Sequence, residues 1–236
     1  MKIDAMTSKM TAFAEILLCS SVPTQLLIGS VLGVAGWTPL DDAGRLSLPF
    51  VVTLSIADTV LLIGLMVALT IAHGEQVSEL WLGRRRVVGE AARGLLLVPV
   101  VFFLVAALLS FLMAVAPWLH NVPANPLEQM AGTATDAALL AVVAILAGGV
   151  REELQRAFLL RRFERHLGGA TVGVIVLSIA FGLGHSVQGW DAVITTGLLG
   201  AFWAVLYLRR RSSIAPLVSH AGFNALEVLR VALTGQ

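Results

Sequence analysis

The run GLLLVPVVFFLVAALLSFLMAVAPW, residues 94–118, contains no charged side chain. A helix that crosses a bilayer needs about 20 mostly apolar residues. Within the hydrocarbon region only helices and closed barrels satisfy every backbone hydrogen bond, so this run predicts a transmembrane helix. The whole chain is 57% hydrophobic and 13% charged, against about 25% charged in soluble domains. We therefore expect an integral membrane protein.

Other apolar segments along the chain have a similar length and composition. The sequence predicts an all-α, polytopic transmembrane helix bundle of about seven spans, or eight if one segment re-enters the membrane. The predicted spans are 12–36, 50–72, 94–118, 136–160, 170–188, 191–208 and 213–233. We divide them into an N-terminal half, residues 1–135, and a C-terminal core, residues 136–233. The first stretch lacks a small-residue cleavage site, so we expect a retained span and not a signal peptide.

The placement of arginine predicts the orientation of these spans. Arginine clusters at 84–86, 161–165 and 209–211 follow the second, fourth and sixth spans. The loops after the first, third and fifth spans contain no arginine except Arg45. Because basic residues accumulate on the cytoplasmic side, we expect a multi-pass protein of the cell membrane with its N-terminus in the cytoplasm.

The loop 74–93 is expected to lie at the cytoplasmic surface and to contain a short interfacial helix, with Trp81 at the lipid headgroups. The net charge is +1 and is distributed among the loops, so nucleic acid is not a predicted partner. Cys19 is the only cysteine, which excludes an intramolecular disulfide.

Two adjacent glutamates follow the apolar run of the fourth span. Glu152 and Arg156 are four residues apart and can pair on one helical face, whereas Glu153 points about 100° away. A carboxylate at the centre of a spanning helix costs on the order of 2.5–3.5 kcal/mol on insertion scales. An interfacial charge pair that orients the helix is the simpler explanation for either glutamate alone.

The predicted fifth span contains a single histidine. His185 follows Phe181, and Gly182 and Gly184 are expected to permit close packing against a neighbouring helix. A lone histidine in such a span more often packs or makes an interhelical hydrogen bond than takes part in catalysis.

The predicted seventh span places His220 and Asn224 four residues apart on one face. Glu227 extends the same stripe, although a pair with Arg230 is the more ordinary explanation for it. Carboxylates, imidazoles and an amide on three spans suit hydrolysis, because a carboxylate can accept a proton from water while the other groups donate to an oxyanion.

These residues resemble the motifs of the CPBP family, the CAAX-protease and bacteriocin-processing intramembrane proteases, also called the Abi family. That family carries Glu-Glu-x-x-x-Arg, Phe-x-x-x-His and His-x-x-x-Asn or Asp motifs on successive helices. Here Phe181 and His185 match the second motif, and His220 and Asn224 match the third. The resemblance covers about residues 136–230.

The glutamate motif is one residue shorter here than in the family. If Arg156 sets the register, Glu152 takes the position of the second glutamate and Arg151 replaces the first. If the two glutamates set it, Glu152 is the first glutamate and Glu153 the second, with a helical irregularity absorbing the missing residue. The first glutamate is the family's proposed base, and we favour Glu152 because it has a motif position in both registers.

The resemblance implies an intramembrane endopeptidase that cleaves a membrane-proximal bond of a peptide or membrane-protein substrate. Glu152, assisted by His185, would activate a water that attacks a peptide carbonyl. His220 and Asn224 would donate to the oxyanion, and Arg156 would hold the second carboxylate. The implied catalytic set is Glu152, Glu153, Arg156, His185, His220 and Asn224.

Two histidines and a glutamate are also a plausible zinc set. We favour a metal-free site and expect no other cofactor. A non-catalytic CPBP-fold protein that binds a partner or gives bacteriocin immunity is the main alternative. A proton-coupled transporter would use similar buried residues, but no internal repeat supports it. The composition looks bacterial, which favours peptide maturation or immunity over a prenylated substrate.

One expected distance conflicts with a shared site. Glu152 and His220 lie about 13 Å from the nearest cytoplasmic arginines along their helices, whereas His185 lies about 22 Å from the start of its span. A common site therefore requires a fifth helix that begins deeper in the membrane, tilts, or bends at Gly182 or Gly184.

Overall fold

The computed structural model describes residues 2–234, with side chains from residue 8 onward. This part of the chain is all-α, as predicted, and contains no β-strand, only one isolated bridge between Leu40 and Leu46. The helices are α1 (Lys2–Leu18), α2 (Val22–Val34), α3 (Leu48–Ala72), α4 (Val77–Trp81), α5 (Val87–Val115), α6 (Ala134–Val143), a π-helical segment (Ala144–Arg151), α7 (Glu152–His166), α8 (Ala170–Leu183), α9 (Trp190–Arg210) and α10 (Ile214–Thr234). Short 3-10 turns cover Pro117–Leu119, Glu128–Met130 and Ser186–Gln188.

Four helical stretches are long and apolar enough to cross a membrane, which makes this a multi-pass membrane protein. They are Leu48–Ala72, Val87–Val115, the continuous helix Ala134–His166 and Trp190–Arg210. A bent pair, Ser8–Leu18 and Val22–Val34, makes a fifth candidate with an angle of 41° at its break. Each of the seven predicted segments coincides with a helix or with this pair, and α8 is only 14 residues long.

Two helices extend well beyond their predicted boundaries. The fourth helix continues past residue 160 to His166, because Arg162 and its neighbours are paired with carboxylates of α1 and of the turn after α3. The third begins at Val87 and not at 94, which brings Glu90 into the first turn of α5. Glu90 is buried and accepts hydrogen bonds from Arg210 at 2.6 Å and Arg93 at 2.9 Å. Pairing between charged side chains therefore extends both helices beyond their apolar runs.

The predicted short helix in loop 74–93 exists as α4, but Trp81 does not face the lipid headgroups. Its side chain is buried, and its indole N–H donates to the carbonyl of Leu154 in α7 at 3.0 Å. The hydroxyl of Tyr207 in α9 donates to the carbonyl of Leu80 at 3.1 Å. These two hydrogen bonds hold α4 against the helix bundle, because buried indole and phenol groups usually form a hydrogen bond.

α10 packs closely against two helices through glycine. A Cβ at Gly149 of the π-helical segment would lie 2.5 Å from the Cβ of Ala221, and one at Gly222 would lie 2.5 Å from Val98 of α5. Only glycine permits these approaches, as is usual in membrane helix pairs. The contact at Gly149 brings α10 beside the start of α7, where the glutamates lie.

The hairpin of α8 and α9 confirms one of the two glycine predictions. A Cβ at Gly182 would lie 2.4 Å from the carbonyl oxygen of Val193 in α9, so this glycine allows the two helices to pack closely. Gly184 makes no such approach, because the nearest atoms to its Cβ position are carbonyl oxygens of its own α8, that of Phe181 at 3.3 Å being the closest.

Candidate active site

The centre of the site is a buried cluster of Glu153, Arg156 and His220. Glu153 pairs with Arg156 one turn along α7, and its Oε1 also lies 2.8 Å from His220 Nδ1. Because the ionised carboxylate only accepts, Nδ1 carries the hydrogen and His220 presents Nε2 on the opposite side of its ring. The Glu153 side chain is only 1% exposed, so its charge is balanced within the protein.

Glu152 lies on the other side of the same imidazole. Its Oε2 is 3.9 Å from His220 Nε2, and its Oε1 accepts a hydrogen bond from Arg151 at 3.2 Å. At 18% exposure it is the more accessible of the two glutamates. Helical spacing also permits a pair between Glu152 and Arg156, but in the structure Arg156 pairs with Glu153.

Aromatic rings enclose the imidazole. The ring of Trp203 in α9 stacks on His220 with centroids 3.8 Å apart, and the guanidinium of Arg156 lies 4.8 Å from the centre of the Phe181 ring. Phe181 also contacts the edge of His220 at 6.0 Å between centroids. These contacts hold the histidine and the arginine in fixed orientations through stacking and cation–π attraction.

Asn224 lies one turn after His220 and is bound to the backbone. Its Nδ2 donates to the carbonyl oxygen of Ala144 at 3.0 Å, at the first residue of the π-helical segment. A Cβ at Gly148 would lie 2.5 Å from the same Nδ2, so glycine is needed there as well. The amide nitrogen has two hydrogens, and one of them is committed to this bond.

His185 contacts the ring of Phe181, which also contacts His220. It follows the end of α8, where its Nδ1 donates to the carbonyl of Phe181 at 2.8 Å, and its ring packs on that of Phe181 at 4.8 Å. In the part of the chain that the structure describes, no hydrogen bond or ion pair joins His185 to Glu152 or His220. α8 ends at Leu183, five residues before the predicted end of the fifth span.

The remaining polar residue of the stripe on α10 is paired away from the cluster. Glu227 accepts a hydrogen bond from Arg230 Nε at 2.9 Å, as the more ordinary explanation predicted. Arg230 also donates to Glu128 at 3.1 Å, which ties α10 to the loop before α6.

One charged residue beside the site, Asp58, was not predicted from the sequence, and neither was its pairing with Arg151. Asp58, in the middle of α3, is fully buried and pairs with Arg151. Arg151 is itself buried at the end of the π-helical segment. A single aspartate within an apolar span was the available signal, because an ionisable residue in a transmembrane helix usually has a partner or a function.

The donor set does not fit zinc. Among the residues that the structure describes, no three histidine, cysteine or carboxylate side chains come together in a way that could hold a metal ion. Glu153 and His220 hydrogen-bond each other, Arg156 adds a positive charge at that carboxylate, and Nδ1 of His185 is bound to the carbonyl of Phe181. No step proposed below passes through a metal.

The fold and this site define a polytopic α-helical membrane protein with a glutamate–arginine–histidine cluster buried between its helices. Residues 134–226, from α6 into α10, match the family model described as type II CAAX prenyl endopeptidase Rce1-like. That model belongs to the CPBP family, so this segment of the chain is similar to that family. Comparisons with curated proteins and with solved structures gave no match.

Proposed function

We propose that the protein is an intramembrane endopeptidase that hydrolyses a membrane-proximal peptide bond. The observation that carries this proposal is the placement of His220 between two glutamates that differ in their partners. Oε1 of Glu153 is shared by Arg156 and His220 and this side chain is only 1% exposed, whereas Glu152 is 18% exposed and, among the described residues, accepts one hydrogen bond, from Arg151. A general base needs a carboxylate that is free to accept a proton.

In this mechanism Glu152 takes a proton from a water as the water oxygen attacks the peptide carbonyl carbon. His220, carrying a second proton on Nε2, donates to the developing oxyanion while Glu153 stabilises the imidazolium charge through Nδ1. The second amide hydrogen of Asn224 is available for the same oxygen. When the tetrahedral intermediate collapses, Glu152 returns its proton to the leaving amine, and the carboxylate and imidazolium are regenerated.

His185 stays in the proposal as an assisting imidazole. Because its Nδ1 donates to the Phe181 carbonyl, Nε2 is its accepting nitrogen. In the described residues it has no hydrogen bond or ion pair with either glutamate, so in this proposal it acts on water or substrate. We therefore expect a smaller loss of activity from His185→Ala than from His220→Ala.

The proposed substrate class is supported by the family match. We propose a peptide or membrane-protein segment that reaches the helix bundle from the lipid. The matched family is named for CAAX prenyl endopeptidases, so a lipid-modified peptide tail is one member of this class.

The test is cleavage by purified protein in lipid nanodiscs. Membrane fractions from cells with the native protein and with Glu152→Gln are compared for new peptide termini, and the peptides found are then offered to the purified protein. We expect the native protein to cleave these peptides and the variants Glu152→Gln and His220→Ala to lose cleavage. Glu227→Gln is the control and should retain cleavage, because within the described part of the chain the carboxylate of Glu227 pairs only with Arg230. Cleavage that survives in Glu152→Gln and is lost in Glu153→Gln would assign the base to Glu153.

A non-catalytic, partner-binding role is the second candidate, because the carboxylate of Glu153 is fully engaged within the protein. It would be supported if native and Glu152→Gln membranes gave identical peptide termini while Glu152→Gln still restored a phenotype of cells that lack the protein. The protease proposal would then fail.

A further inference from the structure

Asp58 is a charged residue in the centre of a membrane-spanning helix. α3 contains 25 residues with a mean hydropathy of 2.3 in its most apolar window, yet the aspartate within it has 0% exposure. Its carboxylate accepts hydrogen bonds from Arg151, from the hydroxyl of Thr24 and, at 3.3 Å, from Gln25. A buried carboxylate with this many donors is one whose ionised form the protein stabilises.

The guanidinium of Arg151 lies between Asp58 and Glu152. Its Nη1 binds Asp58 and donates to the hydroxyl of Ser21 at 3.2 Å, while its Nη2 donates to Glu152 Oε1 at 3.2 Å. Its Nε donates to the carbonyl of Ala147 at 3.3 Å. The planar guanidinium is thus fixed at three nitrogens. Ser21, at the break between α1 and α2, binds Arg151, and Thr24, in the first turn of α2, binds Asp58.

The charges around Glu152 balance only when Asp58 is counted. Arg151 and His220 contact Glu152 directly, Asp58 is linked to it through Arg151, and Glu153 with Arg156 is linked to it through His220. With a proton on both nitrogens of His220, three carboxylates face three cations. Without Asp58, one positive charge would lie beside Glu152 with no other carboxylate to neutralise it.

We propose that Asp58 is a positioning residue for Glu152. It holds Arg151 so that the guanidinium binds Glu152 through Nη2 alone and orients that carboxylate towards His220. The inference rests on the proposed function, in which Glu152 is the base. It also assigns a part in the site to the N-terminal half of the chain, which lies outside the matched segment 134–226.

The test is a pH titration of Glu152 by infrared difference spectroscopy, which needs no substrate. The protonated carboxyl band of Glu152 is assigned by its loss in Glu152→Gln. In Asp58→Asn the guanidinium is left to Glu152 alone, so we expect the band to appear at a lower pH. In Arg151→Met the negative charge of Asp58 remains, so we expect the band at a higher pH. An opposite or like charge at this distance moves such a midpoint by about one pH unit or more.

A structural role for Asp58 would not move the midpoint in opposite directions in the two variants. The double variant Asp58→Asn/Arg151→Met should return the midpoint to near that of the native protein. If Asp58→Asn does not fold, the double variant still tests the proposal, because its midpoint must lie below that of Arg151→Met. Asp191→Asn is the matched control, because Asp191 is also buried but pairs with His120 at 2.7 Å. Equal midpoints in the native protein and all folded variants would overturn the proposal.

Cleavage assays on the same variants separate this inference from the proposed function. If the native protein cleaves and Glu152→Gln does not, but Asp58→Asn keeps the native midpoint and rate, only the role of Asp58 fails. If no peptide is cleaved by the native protein, the protease proposal fails, while the infrared midpoints still report whether Asp58 controls Arg151 and Glu152.

Discussion

Trp203 stacks on His220 with ring centroids 3.8 Å apart and ring planes inclined by 16°. Both side chains are buried, and the indole N–H lies 3.4 Å from the hydroxyl of Ser219. The stack joins α9 to α10 at the residue that both glutamates approach. The orientation of the imidazole therefore depends on packing from α9 as well as on its hydrogen bond to Glu153.

Replacement of Trp203 by alanine should destabilise the protein by about 3–5 kcal/mol, the usual range for removing a buried tryptophan. Trp203→Phe keeps an aromatic surface beside His220 and should cost less. The measurement is thermal unfolding in detergent, monitored by circular dichroism. Trp118→Ala is the control, because this tryptophan is 73% exposed and should leave the unfolding temperature nearly unchanged. Equal shifts for Trp203→Ala and Trp118→Ala would contradict the packing described here.

The two glutamates should respond differently to the same substitution. Glu153→Gln leaves Arg156 buried without its carboxylate, and breaking a buried ion pair by removing one partner costs about 3–5 kcal/mol. Glu152→Gln removes a more exposed carboxylate and should cost under about 1 kcal/mol while abolishing cleavage. The measurements are the free energy of unfolding and the cleavage rate for each variant. Similar stability losses in both would show that the distinction between the glutamates is wrong.

The pair of Glu153 and Arg156 can be tested further by a double variant. Glu153→Gln/Arg156→Met removes both charges, so no unpaired charge remains in the interior. We expect it to be more stable than Glu153→Gln alone, because the stability effects of residues in contact are not additive. If the losses of the two single variants simply add, the pair does not couple.

Gly149→Ala should displace α10. The added Cβ would lie 2.5 Å from the Cβ and 2.6 Å from the Cα of Ala221, and backbone atoms cannot yield as a flexible side chain can. We expect a lower unfolding temperature and loss of cleavage. Gly64→Ala in α3 is the control, since nothing lies within 4 Å of its Cβ position. An unchanged unfolding temperature in Gly149→Ala would show that the two helices are not in this contact.

Trp81 should be shielded from lipid. Its indole is buried and donates to the carbonyl of Leu154, so brominated lipids in nanodiscs should quench it poorly. The measurement compares the quenching of fluorescence in the native protein with that in Trp81→Phe and Trp118→Phe. Removing Trp118 should lower the quenched fraction, whereas removing Trp81 should raise it. The reverse result would return Trp81 to the headgroup position that its amphipathic loop predicted.

Much of the fold could be predicted because each transmembrane helix satisfies its backbone hydrogen bonds within its own segment. Apolar runs such as 94–118 therefore identify helices without any knowledge of their neighbours. The boundaries at Val87 and His166 could not be predicted in this way, because partners distant in the chain, such as Arg210 for Glu90 and Glu75 for Arg162, extend those helices.

The candidate site was predictable in its residue types but not in its pairings. Charged and polar residues inside apolar spans singled out Glu152, Glu153 and His220, because the bilayer penalises such residues unless they have partners. Helical spacing allowed either glutamate to meet Arg156, since three and four residues apart are both neighbours on a helix. The structure pairs Glu153 with Arg156 because α10, packed at Gly149, places His220 on that side.

The amino-acid sequence was enough to predict membrane-spanning helices and to match polar residues of three of them to one family's motifs. Three contacts are visible only in the folded protein: Trp81 with α7, Phe181 with both His185 and His220, and Asp58 with Arg151 beside Glu152. These relationships join helices far apart in the chain. They depend on which helix faces pack together. The residue pattern of one helix does not show which face of another helix it will contact.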